Sequence, residues 1–234
     1  MKMKFNINPD FDLDSAKLEY GQNKKVRLTN FIPEEQAIKL TEAIHNHAQF
    51  EQAFFLDNES RQSAYEKIQE LSPEERANLI QAIYKQAAQG VGFWYGREGI
   101  SDKSNEVILA FYNWYNSDEV ISAIKNITGI NEIKAVSGQV SRFMPGDFLT
   151  RHKDNIGQDK RRVAYSFSLS PAWHPDWGGL LQFYKEDGSP TETWVPKFNT
   201  INLFDVTEVH SVTTLAAFSP SPRYAISGWF KEIK

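Results

Sequence analysis

The chain has 234 residues, 41% hydrophobic and 13% aromatic, enough to bury a real core at about the size of one domain. A formal net charge of −4 and a pI near 5.8 leave no basic footprint for nucleic acid. No cysteine is present, which excludes disulfides, thiolate zinc sites and iron–sulfur clusters, so any metal must rest on His, Asp or Glu.

At the amino terminus, MKMKFNINPDFDLDS breaks its apolar residues with charges and a proline before a signal-peptide core can form. No later apolar run approaches membrane length, so a soluble, cytoplasmic protein without a membrane partner is expected. Val26-Arg27-Leu28 reads as a short strand. Pro33-Glu34-Glu35 then opens a helix, with proline and acid where the first turn favours them and with Ile38, Ala43 and Ile44 facing inward. Ser72-Pro73-Glu74-Glu75 is a capping box ahead of Leu79, Ile80 and Ile83 at helical spacing. The stretch Gly90-Val91-Gly92-Phe93-Trp94-Tyr95-Gly96 reads as a connecting loop, either a lid or, more economically, a buried aromatic cluster. Phe111 to Ile127 is a third helical segment.

From about Ser137 the texture changes to short alternating segments separated by Gly, Pro, Asp and Asn, the pattern of antiparallel sheet. Strands are expected at Val140–Phe143, Val163–Leu169, Leu180–Tyr184, Thr200–Phe204, His210–Leu215 and Tyr224–Phe230, with a hairpin turn at Glu186-Asp187-Gly188-Ser189. Helices followed by strands predict an α+β fold whose sheet closes into a sandwich or barrel. Residues 1–234 are expected to form a single domain, with 1–136 as a mainly helical support and 137–234 as the β core.

Within that β region stand His152-Lys153-Asp154, then His210, then Arg223. Two imidazoles and one carboxylate can occupy one face of an octahedral Fe(II) and leave three positions open, the ligand set of non-haem iron oxygenases. Residues two apart share a face only in an extended segment. That favours His152 and Asp154, after a Pro145-Gly146 turn, over His174-Pro175-Asp176, whose proline and flanking glycines read as a loop. His45 and His47 fall near a helix end, where such a pair diverges, and read as solvated. His210 alone would pass for a hydrogen-bonded strand residue; its place between Asp154 and Arg223 makes it a ligand candidate. A metal-binding histidine is neutral and hands its other ring nitrogen to a carbonyl or carboxylate, so each should have such an acceptor. By period 2, Arg223, Ala225, Ser227 and Trp229 share one face of the last strand. Guanidinium is a planar fork for a carboxylate, and Ser227 is the hydroxyl expected to add a bond to it.

Several ordered motifs carry a family resemblance: Arg142-Phe143-Met144-Pro145-Gly146-Asp147 through Asn155, Arg161-Arg162-Val163-Ala164-Tyr165, Trp177-Gly178-Gly179-Leu180-Leu181, Pro196-Lys197-Phe198-Asn199, and His210-Ser211-Val212 through Phe230. Together they resemble the Fe(II)/2-oxoglutarate-dependent oxygenases, within them the prolyl 4-hydroxylase branch that includes hypoxia-type and ribosomal-protein prolyl hydroxylases. The resemblance covers Ser137 to Phe230 well and the first half loosely. It implies a double-stranded β-helix, a jelly-roll, cupin-like barrel with supporting helices. His152, Asp154 and His210 would be the catalytic metal ligands for Fe(II), and Arg223 would pair with the distal carboxylate of 2-oxoglutarate. O2 would be the second cosubstrate, with succinate and CO2 released. Phe143 and Ser168 stand where relatives commonly carry tyrosine, which leaves Tyr165 as the phenol considered for the cosubstrate. Arg161 and Arg162 resemble an arginine that contacts peptide in relatives, with a solvated-turn role equally in view, and Trp229 joins them as a substrate-contact candidate.

The function expected is therefore hydroxylation of a C–H bond, foremost on a prolyl residue of a protein, by a prolyl 4-hydroxylase, with the translation machinery as a possible source of partners. A hydroxylase of a free amino acid or small metabolite is the alternative within the same chemistry. A non-catalytic iron or 2-oxoglutarate sensor is the alternative outside it. Nucleic-acid demethylation ranks last, because the chain is acidic and lacks the second arginine after Ala225 typical of those enzymes.

Overall fold

The computed structural model describes residues 3–155 and 160–233. Helix α1 (Leu13–Asn23), strand β1 (Lys25–Thr29) and helix α2 (Glu34–His47) are followed by strands β2 (Glu51–Leu56) and β3 (Glu59–Ala64), helices α3 (Tyr65–Glu70) and α4 (Pro73–Ala87), and strand β4 (Phe93–Gly99). After them come α5 (Glu106–Tyr115) and α6 (Asp118–Thr128), and then β5 (Ala135–Phe143), β6 (Phe148–His152), β7 (Arg161–Ser168) and β8 (Leu181–Tyr184). Strands β9 (Pro190–Trp194), β10 (Thr200–Asp205), β11 (Val209–Val212) and β12 (Arg223–Lys231) complete the chain. The strands form one curled antiparallel sheet in the order β1-β10-β7-β12-β5-β4-β6-β11-β8-β9, with the β2–β3 hairpin attached to β4. This is the expected α+β fold of double-stranded β-helix type. No helix is long and apolar enough to cross a membrane among the described residues.

Local chemistry explains the ends of the helices. The Ser72 hydroxyl accepts the Glu75 amide hydrogen while the Glu75 carboxylate accepts from the Ser72 amide, with Pro73 in the first turn, so two orphan donors of α4 are satisfied reciprocally. The helix read as continuous over Phe111–Ile127 is broken in two. Asn116 caps α5, donating to the Tyr112 carbonyl (3.2 Å) and accepting from the Val136 amide (3.0 Å), and Ser117 turns extended as the cap of α6. Short polar side chains that compete for backbone groups favour such caps over helix interiors. In α2, Ala43 and Ile44 are buried as expected but Ile38 is 45% exposed.

The first half holds more strand than its sequence suggested. Gly90–Gly96 runs from a turn into β4, which pairs with both β5 and β6, so the lid reading is corrected to a strand and the aromatic-cluster reading stands. The β2–β3 hairpin turns on Asp57 and Asn58, both at positive φ, and β9 partners β8 across the expected Glu186–Ser189 turn.

Alternation along the central strands then makes two compartments. Val163, Tyr165, Phe167, Ile226 and Phe230 face the main core against Phe111 and Tyr115 of α5 and Ile121 and Ile124 of α6. The opposite side of β7, β12 and β5 lines a cavity facing β6, β11 and β8.

Candidate metal centre and cosubstrate cavity

β6 and β11 lie side by side antiparallel, with His152 directly opposite His210. That register alone brings the two imidazole rings to 4.2 Å between centroids. Asp154 lies two residues beyond His152, past the end of β6 rather than within a strand, and is held by its backbone amide donating to the Val206 carbonyl at 3.0 Å. Its carboxylate oxygens stand 3.7 Å from His152 Nε2 and 3.4 Å from His210 Nε2. One ligand atom from each of the three falls within 4.8 Å of the others, a spacing that suits a common ion.

The remaining ring nitrogens are engaged as a metal site requires. His152 Nδ1 bonds the Thr150 carbonyl at 2.9 Å and His210 Nδ1 bonds the Glu208 carbonyl at 3.0 Å. Each acceptor is a backbone carbonyl two residues earlier on the same segment, which leaves both Nε2 atoms turned to the ion position. Burial, and next the neighbouring His152, push His210 down to about 4, against a smaller upward pull from Asp154, so it is the neutral imidazole that ligates.

Arg223 opens β12 opposite Phe143, with its guanidinium 5.4 Å from that ring, and is 3% exposed. Among the described residues no carboxylate lies within 4 Å of it, and its buried Nε has no hydrogen-bond partner. Burial alone lowers its pKa to about 10. A buried, unpaired guanidinium is costly unless a ligand anion completes it. Gly179 makes room for the arm: a Cβ there would stand 3.0 Å from Arg223 Cδ. The triad and Arg223 line one cavity of about 430 Å³. This donor set fits Fe(II) at the His-Asp-His cluster and a dicarboxylate reaching the cation.

Other expected site residues are placed unequally. Ser227 and Trp229 line the cavity, but Ser227 is four residues along β12 from Arg223, and the same-face neighbour two residues on is Ala225, whose methyl donates nothing. The role given to Ser227 beside the Arg223 fork is corrected accordingly. Tyr165 borders the cavity, but its hydroxyl donates to the Ser137 carbonyl (3.2 Å) and its ring packs on Tyr115 and Phe230 of the helix-side core, so its phenol is already engaged. Arg161 lies over the Trp229 ring at 3.7 Å and lines the cavity. Arg162 is committed to Glu232, with Nε at 2.7 Å, and is withdrawn as a substrate contact. His174 and Asp176 are exposed around a short 3-10 turn, away from the cavity. The sequence reading missed Tyr95 and Gln139, which line the cavity from β4 and β5. Alternation of Phe93, Tyr95 and Arg97 carried that signal, but the glycines at 90, 92 and 96 masked it.

Residues 138–231 match the family model described as the 2OG-Fe(II) oxygenase superfamily. The chain is 28% identical over 114 residues to a protein named Prolyl 3-hydroxylase OGFOD1 from Mus musculus, covering 46% of this chain and 20% of the relative. It is 31% identical to the protein of the same name from Xenopus laevis, with 46% and 22% covered. The match thus spans about a fifth of the length of these curated relatives. Among solved structures, a prolyl-4-hydroxylase of Pseudomonas putida superposes with TM-score 0.65 at 17% identity, covering 95% of this chain and 100% of that one. A prolyl hydroxylase of Trichoplax adhaerens, solved with a hypoxia inducible factor peptide fragment, gives TM-score 0.62 at 18% identity over 94% of this chain and 89% of that one. At these identities the structures speak for the fold.

Proposed function

From the match of residues 138–231 to the 2OG-Fe(II) oxygenase superfamily model, we propose that this chain is a member of that superfamily and a dioxygenase that hydroxylates a prolyl residue of a protein. The observation that carries the reading is the buried, unpaired Arg223 in the same cavity as the His152–Asp154–His210 cluster. A metal site alone serves many chemistries; a metal site with a buried guanidinium in the same cavity suits a keto acid that carries a second carboxylate.

Fe(II) held by His152, Asp154 and His210 would supply, with 2-oxoglutarate and O2, the coupling of oxidative decarboxylation to hydroxylation of a C–H bond. The chain's own work is to hold and exclude. His152 and His210, fixed as donors to their own strand carbonyls, present Nε2, and Asp154 supplies the negative oxygen. Arg223 forms a charge-assisted pair with the distal carboxylate and so fixes which end of the cosubstrate meets the metal. Phe143, Val212 and Leu181 wall the cavity with carbon and keep bulk water from the reacting atoms. Trp229, with Arg161 stacked on it, lines the cavity as a flat apolar wall suited to a pyrrolidine ring. Prolyl chemistry is supported by the curated relatives, which carry prolyl 3-hydroxylase names, while the sequence resemblance pointed to C4; C3 and C4 are therefore the two ring positions to be distinguished.

The test is anaerobic addition of Fe(II) and 2-oxoglutarate to the metal-free protein, read as the visible charge-transfer band of a chelated keto acid. The band should appear in wild type, vanish in His152→Ala, and need about tenfold to 150-fold more 2-oxoglutarate in Arg223→Ala, the loss of one charge-assisted pair. Succinate release on admitting O2 with proline-containing peptides, and NMR of the product ring, then give activity and position. A band without succinate for any peptide or free amino acid favours a sensor, and no band at saturation removes the iron site.

A further inference from the structure

The phenol of Tyr95 is a polar group in this cavity to which the reading above gives no task. Tyr95 is 7% exposed on β4, with its ring stacked parallel on Phe143 (centroids 4.8 Å apart, planes 6° apart). Phe143 on β5 also carries the Arg223 guanidinium at 5.4 Å from β12, the neighbour on its other side. Arg223 and Tyr95 therefore touch one ring from flanking strands, and all three line the same space. The Tyr95 oxygen accepts a hydrogen bond from Gln139 Nε2 at 3.3 Å, and its own hydrogen has no acceptor among the described residues. With that bond accepted from Gln139, the phenol hydrogen is left to donate within the cavity that Tyr95 lines.

Two other hydroxyls beside the sheet are spent: Ser141 Oγ donates to the Ala225 carbonyl at 3.2 Å, and Tyr165 donates to Ser137 on the far side of the sheet. Thr150, Ser166 and Ser227 line the cavity as well, but Tyr95 is the hydroxyl whose ring stacks on the Phe143 ring that the Arg223 guanidinium also touches. Phe143 and Ala225, the residues closest to the Arg223 fork along β5 and β12, donate nothing. A dicarboxylate offers about four lone-pair sites per carboxylate, more than one guanidinium fills, and each one buried without a donor opposes binding. We propose that Tyr95 is a cosubstrate-binding residue, its hydroxyl oriented by Gln139 to donate to 2-oxoglutarate in the cavity that Arg223 anchors. This rests on the oxygenase reading above.

The experiment is an anaerobic 2-oxoglutarate titration of the Fe(II)-loaded full chain, read by the charge-transfer band, for wild type, Tyr95→Phe, and Tyr95→Phe with Phe143→Tyr. Phenylalanine keeps the stacking on Phe143, so Fe(II) affinity and thermal unfolding should stay as in wild type. The 2-oxoglutarate Kd of Tyr95→Phe should rise about tenfold, as for one hydrogen bond to a charged group. Phe143→Tyr, which returns a phenol one strand away, should recover part of that loss. A Kd within twofold of wild type overturns the assignment while leaving the oxygenase reading intact, and so does a rise matched by an equal loss of Fe(II) affinity. Absence of the band in wild type overturns both.

Discussion

Burial pushes the imidazole of His210 down to about 4 and the carboxyl of Asp147 up to about 7, and the two shifts act oppositely on stability. Between pH 4 and 6.5 the unfolded chain takes a proton on His210 that the folded protein refuses, so acidification destabilises. Between pH 3.8 and 7 the folded protein keeps a proton on Asp147 that the unfolded chain releases, so acidification stabilises. In the shared window they largely cancel. Asp147→Asn keeps an acceptor for the Met144 amide (2.8 Å) and removes only the second effect. Relative to wild type, the metal-free variant should lose about 1.4 kcal/mol of stability per pH unit on acidification through that window. Urea unfolding at a series of pH values checks this, and parallel curves would show that Asp147 does not carry the compensating proton. At this scale the cluster of His152, Asp154 and His210 was legible from the order and spacing of residue types that can bind a metal, although Asp154 falls just beyond the strand. The tasks of Ser227, Tyr165 and Arg162 were not, because they turn on one position along a strand, on one face of it, or on a distant Glu232.

β12 does most to build the site, because it supplies Arg223 to the cavity and Ile226 and Phe230 to the core. Close approach to β5 is secured by a pair of glycines, Gly228 opposite Gly138. A Cβ on Gly228 would lie 1.9 Å from the Ser137 carbonyl oxygen, a backbone atom that cannot move without parting the strands. A Cβ on Gly138 would instead meet side chains, the Tyr165 hydroxyl at 2.8 Å and the Tyr112 ring at 3.2 Å, and no backbone atom among its nearest contacts. Gly228→Ala should therefore cost about 2–3 kcal/mol and Gly138→Ala clearly less, measured as midpoints and slopes of denaturant unfolding. Equal costs would mean that the β5–β12 spacing is not set at Gly228. Element starts with their own chemistry, such as the Ser72 box, were readable in the sequence. Strands without an apolar alternation, such as β3 with its sequence ESRQSA, were not, since only pairing to β2 makes them strands.

The metal-bearing segment is completed from outside its own stretch of sequence. β4 lies between β5 and β6 and joins the strand that faces Arg223 to the strand that carries His152, while β1 covers the free edge of β10. Helices α2, α5 and α6 bury the back of the sheet through Leu40, Phe111 and Ile124. A fragment of residues 137–234 should thus fail to fold, because it lacks β4 and exposes the core face of β7 and β12. Circular dichroism and the keto-acid band on that fragment test this; a native-like fold with the band intact would show that the first half only decorates the barrel.

Residue type and order by themselves decided the chemistry: a cysteine-free, acidic chain carrying His152-x-Asp154, His210 and Arg223 in alternating segments has the parts of an iron and keto-acid site, since few other side chains bind those groups. Tertiary structure alone decided which parts meet. The pairing of His152 with His210 is a register between distant strands, the face of Tyr165 is a matter of which layer β7 turns toward the helices, and Tyr95 enters the cavity only because β4 inserts between β5 and β6. Each of these depends on long-range pairing, which local patterns do not encode.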